Sequence, residues 1–468
     1  MLSPLSNRTY RHLFGAQLIA LVGTGLLTVA LGLLAYDLAG ADAGAVLGTA
    51  LAIKMVVYVG VAPVLGAFAD RLPRRAFLVA MDLVRAVIAL CLPFVTEVWQ
   101  VYILIFMLQS ASAAFTPTFQ ATIPDVLPDE AEYTKALSLA RLAYDLESLA
   151  SPTLAAALLA FVSYHDLFAG TVLGFLGSAL LVAGVGLPAP KPSDLRGGIY
   201  DRTTRGIRIY LKTPRLRGLL ALNGAVAAAG AMVIVNTVVL VRGVLGGTDS
   251  DVAVVLAAYG AGSMTVALLL PRLLGRLSDR PVMLAGAWLL AAGTLVMAAI
   301  LGGGLPKGLT AALPLLLPVW FALGAANSAV LTPSGRLLRR SAHAEDRPAV
   351  FAAQFALSHA CWLVAYPLAG WLGSGAGLGT AFAVLGALAA ASTVLAARTW
   401  PTGDPVEVAH VHAPFSHEHL HVHDEHHQHE HEGWEGPEPH AHPHRHGALR
   451  HTHALVIDGH HVEWPRAG

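Results

Sequence analysis

From His12 the chain reads HLFGAQLIALVGTGLLTVALGLLAY, a run with no Asp, Glu, Lys or Arg in it. A helix of about 20 apolar residues crosses the hydrocarbon of a bilayer, whereas a cleavable leader has an apolar core of only about 7–15. The run is therefore read as a retained membrane span. Comparable stretches recur near residues 45–69, 76–96, 99–122, 136–161 and 165–187, and again near 216–241, 252–274, 282–302, 311–333, 349–372 and 376–397. A membrane barrel would instead show short alternating segments, so the expected fold is an all-α membrane protein of 12 transmembrane helices. Charged residues make up 13% of the chain, well below the roughly 25% of a soluble domain. Cys91 and Cys361 each lie in an apolar stretch. Two distant thiols make neither a disulfide framework nor a zinc site, and they read as small buried hydrophobes.

The polar segment PAPKPSDLRGGIYDRTTRGIRIYLKTPR, Pro188 to Arg215, parts the spans into two sets. This predicts a six-helix half over 1–187, a linker over 188–215, a second six-helix half over 216–397 and a polar tail over 398–468. Arg71, Arg74 and Arg75 follow the second span, and Arg336, Arg339, Arg340 and Arg347 follow the tenth. The linker and its edges carry Lys191, Arg196, Arg202, Arg205, Arg208, Lys212 and Arg215, while the alternate loops are nearly free of Lys and Arg, with Arg242 and Lys307 as exceptions. Basic loops stay in the cytoplasm, so both termini are expected there.

The halves repeat. GAFADR at Gly66–Arg71 closes the second span and GRLSDR at Gly275–Arg280 the eighth. Thr116-Pro117 and Thr332-Pro333 close the fourth and tenth, and Ser151-Pro152 matches Tyr366-Pro367 within the fifth and eleventh. Three paired landmarks at nearly one offset argue for an internal duplication, as in many secondary transporters. On these residues the chain resembles the major facilitator superfamily. GAFADRLPRR is similar to its loop motif G-x-x-x-D-R-x-G-R-R, with Pro73 in place of the second glycine. The resemblance implies that Gly66, Asp70, Arg71 and Arg74, and their counterparts Gly275, Asp279 and Arg280, brace the cytoplasmic gate. Two departures stand out. The fourth span lacks the arginine of many drug antiporters of that superfamily, and SPTLAA at Ser151–Ala156 replaces the antiporter motif G-P-x-x-G-G.

An ionisable group near the bilayer centre costs about 2.5–3.5 kcal/mol on insertion scales, so each such group needs a reason. Lys54 lies mid-span in the second helix with Tyr58 one turn on, and His359 mid-span in the eleventh. The fifth carries Arg141, Asp145 and Glu147, of which Arg141 and Asp145 share a face. Asp82 and Arg85 in the third share a face and read as a self-satisfied pair. In the superfamily's arrangement the second, fifth, eighth and eleventh helices border the central cavity. There Lys54, Asp145, Glu147 and His359 would converge as ligands or proton carriers. The bland alternative is a structural network, with Lys54 paired to Asp145 or Glu147 and His359 bonded to a backbone carbonyl. Gln109, Asn223 and Asn327 read as packing polars.

From Thr399 the chain turns polar. Of its 22 histidines, all but His12, His165, His343 and His359 lie from His410 onward. Imidazoles recur two apart or adjacent at His410, His412, His417, His419, His421, His423, His426, His427, His429, His431, His440, His442, His444, His446, His451 and His453. Neutral imidazole suits nickel, cobalt, zinc or copper, and Glu418, Asp424, Glu430 and Glu432 add carboxylates. The tail is expected to be disordered without metal, save for a small hairpin around Asp458-Gly459. A His-rich cytoplasmic C-terminus on such a core resembles the bacterial nickel-resistance exporters of NreB type.

That resemblance implies efflux of Ni²⁺, with Co²⁺ next, from a bacterial cytoplasmic (inner) membrane; Zn²⁺ is a further candidate by ligand chemistry, and proton coupling is inferred from the intramembrane acids. No resident cofactor is expected. The expected partners are the metal ion, protons and the lipid bilayer; no nucleic acid is expected. No G-x-x-x-x-G-K-[ST] loop occurs, which argues against a nucleotide. The rivals are export of an organic solute (siderophore, macrolide or metal chelate) with a regulatory tail, and a membrane-anchored metal store.

Overall fold

A computed structural model of the chain describes residues 3–61, 73–188, 199–273, 277–304, 308–342, 346–403, 408–412, 415–421, 440–446, 449–453 and 456–457. The first half holds α1 (Arg8–Ala39), α2 (Ala43–Val56, continued by a π turn over Val57–Val61), α3 (Arg74–Cys91), α4 (Val98–Val126), α5 (Glu130–Leu159) and α6 (Tyr164–Ala183). A linker helix α7 (Ile199–Lys212) follows. The second half holds α8 (Pro214–Val238, with a π turn over Val239–Val244), α9 (Asp249–Leu273), α10 (Asp279–Gly303), α11 (Leu309–Leu331), the short α12 (Ser334–Arg339), α13 (Arg347–Gly375) and α14 (Leu378–Thr399).

Helices form because a lipid-exposed backbone must satisfy its own polar groups. Their starts are set locally. The Asn7 side chain accepts from the Tyr10 amide, Asp129 from the Glu132 amide, and Ser163 makes a reciprocal box with Asp166. Ten stretches of the described residues are long and apolar enough to cross a membrane, and the first, Arg8–Gly60, contains both α1 and α2. α5, which carries Arg141, Asp145 and Glu147, is a 30-residue helix outside that set. Large apolar side chains such as Val87, Leu90, Leu173, Leu180 and Leu268 stand exposed on the outside, where lipid rather than water suits them.

α1 packs on α6, and α3 on α4 and α6; in the second half α8 packs on α14 and α13, and α10 on α14 and α11. The halves meet along α2 against α13 and α5 against α9. α1 starts and α14 ends on one face, here called the terminal face. Residues 40–42, 92–97, 160–163, 245–248 and 376–377 connect helices on the opposite, distal face.

Two segments differ from the sequence expectation. The linker is partly helical: α7 lies along α13, with buried Gly206 against the Ala349 carbonyl, Arg205 ion-paired to Asp346 at 2.6 Å, and the Tyr210 hydroxyl donating to Gln354. Burial pushes the Tyr210 phenol above its usual range, so it stays a donor. The tail, expected to be disordered, contains four strands: β1 (Val408–His412), β2 (Phe415–His421), β3 (His440–His446) and β4 (Leu449–His453). β1 pairs antiparallel with β4, and β2 with β3, as two two-stranded sheets. The physical reason is that alternating His-x-His is a period-two pattern, interrupted by Val, Phe, Leu and Thr, which strands accept. The hairpin expected around Asp458-Gly459 lies outside the described residues.

Candidate functional site

Mid-bundle, α2 and α13 bring side chains of the two halves together. Residues four apart share one face of a helix. On α2 the Lys54 ammonium lies 5.6 Å from the Tyr58 ring centroid. On α13 the Phe355 and His359 rings lie 3.9 Å apart. Across the seam, Tyr58 stands 5.6 Å from His359 and 6.1 Å from Phe355. Lys54, Tyr58 and His359 are half-buried and Phe355 is exposed. The α2 helix widens to its π turn at Tyr58, a form often found at functional sites.

His359 Nδ1 lies 2.7 Å from the Phe355 carbonyl oxygen. A carbonyl only accepts, so Nδ1 carries the hydrogen and the neutral ring keeps its lone pair at Nε2. That bond is the one the structural alternative foresees, and it also orients a ring able to take a ligand or a proton. The structure thus joins Lys54 and His359 through Tyr58. Asp145, Glu147 and Arg141 lie on α5, and their side chains are outside the described residues. Sequence reasoning missed Phe355, whose only signal is its place one turn before His359.

Of the gate motif, Gly66, Asp70, Arg71 and Gly275 lie outside the described residues. Those described are bonded within their own half. Arg74 is ion-paired to Asp125 at the end of α4. Asp279 receives Arg336 from α12, with Nε at 3.0 Å. Arg280 donates to the carbonyls of Ala397 and Trp400, both at 2.9 Å, and so joins the start of α10 to the end of α14. Each half therefore clamps its own terminal-face ends.

Asp82 and Arg85 form the pair expected on α3. Asp82 also accepts from Ser178 at 2.7 Å, and the guanidinium lies between the Phe115 and Phe175 rings at 4.2 and 4.5 Å. Asn223 donates to the Leu219 carbonyl as a packing polar.

In the tail the backbone register sets His410 opposite His451, His417 opposite His444, His419 opposite His442 and His421 opposite His440. His412 and His446 face Leu449 and Phe415 in the register, and His453 faces Val408. His423, His426, His427, His429 and His431 lie outside the described residues. Among the described residues no group of three or more His, Cys, Asp or Glu is gathered that could hold a metal ion.

A family model described as Major Facilitator Superfamily matches residues 13–240 and 220–422. The chain is 26% identical over 398 residues to the uncharacterized MFS-type transporter YvqJ of Bacillus subtilis (strain 168), covering 81% of this chain and 89% of that one. It is 25% identical over 181 residues to macrolide efflux protein A of Streptococcus pyogenes, covering 38% of this chain and 44% of the relative. Among solved structures, the nucleoside transporter NupG matches with a TM-score of 0.67 at 11% identity, over 84% of this chain and 100% of that one. A bacterial homolog of the human lysosomal transporter Spinster, inward-facing and occupied, matches at 0.65 with 14% identity, over 85% and 98%. At such identities these structures speak for the fold alone.

Proposed function

Because the chain belongs to the Major Facilitator Superfamily, and so is a multi-pass membrane transporter, we propose that it exports a divalent transition metal, nickel first and cobalt or zinc next, in exchange for protons. The observation that carries the metal reading is the tail: a histidine-rich sequence whose paired strands set histidine opposite histidine at four register positions. Borderline dications favour imidazole, and a paired backbone brings ligands close at little further cost in chain entropy. In this reading the tail gathers metal at the terminal face, which is the cytoplasmic face of a bacterial inner membrane. Lys54, Tyr58 and His359 line the path, and Asp145 and Glu147 on α5 supply the carboxylates that take metal or proton in turn. In this reading those carboxylates meet the entering dication.

A second reading has its own support. The macrolide efflux relative and the ring-lined seam of Tyr58, Phe355 and His359 favour a small organic cargo, with the tail as a regulator.

Uptake of radioactive nickel and of a labelled macrolide into inverted membrane vesicles with an imposed proton gradient separates the two. The full chain, a chain ending at Ala409 and the Glu147→Gln variant are run together. Gradient-driven nickel uptake that survives loss of the tail and fails in Glu147→Gln supports the proposal. Gradient-driven macrolide uptake, with nickel bound only when the tail is present, overturns it in favour of the second reading.

A further inference from the structure

At the distal face the two halves are fastened at two depths. At the rim Arg242, in the π turn that ends α8, pairs with Asp37 at 2.8 Å and with Asp249 at 2.9 Å. Asp37 closes α1 in the first half, whereas Asp249 opens α9 in the same half as Arg242. One carboxylate therefore bridges the halves and the other holds the guanidinium in place. The Tyr36 ring lies 4.5 Å from the guanidinium carbon, and Tyr164 on α6 lies beside Asp37.

One layer deeper, α2 and α13 cross backbone to backbone. A Cβ on Gly48 would stand 2.5 Å from the Tyr366 carbonyl oxygen, and one on Gly370 would collide with the carbonyl of Gly44. The Trp371 indole donates to the Thr49 hydroxyl at 3.1 Å across the same crossing. Such contact needs glycine and forms only while the halves are closed here.

Asn236 on α8 is wedged behind this crossing. It is 1% exposed, and its amide nitrogen donates to the Ala369 carbonyl at 2.9 Å. Among the described residues its Oδ1 has no hydrogen-bond partner, and a Cβ on Gly44 or Gly373 would lie 2.8 or 2.7 Å from it. A buried acceptor left unpaired opposes the state that buries it. Parting of α2 from α13 admits water to that oxygen and relieves the cost.

We propose that Arg242 and Asp37 are the latch of a distal gate whose closed form the glycine crossing completes, and that Asn236 is set against that closure. The ion pair favours the closed distal face and the unpaired amide oxygen favours the open one, which keeps the two states near balance. This also gives a reason for a basic residue on the face that is otherwise poor in them.

The full chain, with Cys91 and Cys361 replaced by serine and reconstituted in liposomes, carries paired spin labels for pulsed distance measurement. Labels at Asp42→Cys and Thr310→Cys span the distal face, and labels at Ser6→Cys and Arg339→Cys span the terminal face. Asp37→Asn or Arg242→Gln should move population to a longer distal and a shorter terminal distance, by up to about fivefold for a partly exposed ion pair. The exchange of Asp37→Arg with Arg242→Asp should restore the parent distribution, and Asn236→Leu should deepen closure. Unchanged distances in Asp37→Asn and Arg242→Gln, in protein that melts as the parent does, overturn the latch; so does an exchange that fails to restore it. Should Arg242→Gln not fold, the isosteric Asp37→Asn decides between latch and no latch by the same distances.

Discussion

The imidazole of His359 stands 5.6 Å from the Tyr58 ring across the seam between the halves, its Nδ1 held by the Phe355 carbonyl. The ring is oriented by one helix and packed on a side chain of the other. His359→Ala should lower the initial rate of gradient-driven uptake by about tenfold, the equivalent of one lost polar contact. Tyr58→Phe keeps the ring and should retain most of the rate, whereas Tyr58→Ala should lose it. Equal rates in all three, in vesicles matched for protein content, would remove the seam from the path.

The tie between Asp279 and Arg336 is lopsided. The carboxylate is buried and the guanidinium is about half exposed. Arg336→Gln leaves a buried acid short of its partner and should cost about 1–2 kcal/mol after allowance for solvent screening. Asp279→Asn together with Arg336→Gln should cost less than Arg336→Gln alone. Thermal unfolding of the purified protein measures both.

Arg85 is enclosed more completely, between two aromatic rings and against a carboxylate with no exposure. Asp82→Ala strands a buried cation and should destabilise by about 3–5 kcal/mol. The pair Asp82→Leu with Arg85→Met should recover most of that, because apolar groups of similar volume satisfy each other there. A midpoint for the double variant below that of Asp82→Ala would assign the pair a further role.

Nickel binding to the tail should follow imidazole chemistry. Isothermal titration of the full chain against a chain ending at Ala409 should show several equivalents of nickel lost with the tail. Binding should weaken as pH is lowered through the imidazole range, because the ligand must be neutral. Replacing His417, His419 and His421 by serine should remove more nickel than replacing three histidines within 422–439, if opposed strands form the sites. Equal losses would place the metal without regard to the strands.

Much of the bundle was legible because a bilayer imposes a minimum length on every apolar run. The ninth span, read as 282–302, is α10 at Asp279–Gly303, and the twelfth, read as 376–397, is α14 at Leu378–Thr399. The rarity of charge in lipid singled out Lys54 and His359, which do meet around Tyr58. Phe355 escaped notice because an aromatic residue in an apolar helix carries no charge signal. α7 was hidden by its polarity: its Gly206, Ile209 and Tyr210 recur at helical spacing and are buried, but charged residues surround them. In the tail, composition drew attention away from period. Alternation of histidine with other residues reads as disorder by content and as strand by spacing.

The chain leaves the bundle at Trp400, which is fully buried and held through its carbonyl by Arg280, and it comes back to the apolar core at Ile457. The histidine strands between these points are therefore a loop moored at both ends. A moored loop sweeps a small volume, and the effective concentration of what it carries is set by its own span. Under the proposed metal export, passage from tail to bundle would be a unimolecular event, with a rate that does not fall when the protein is dilute.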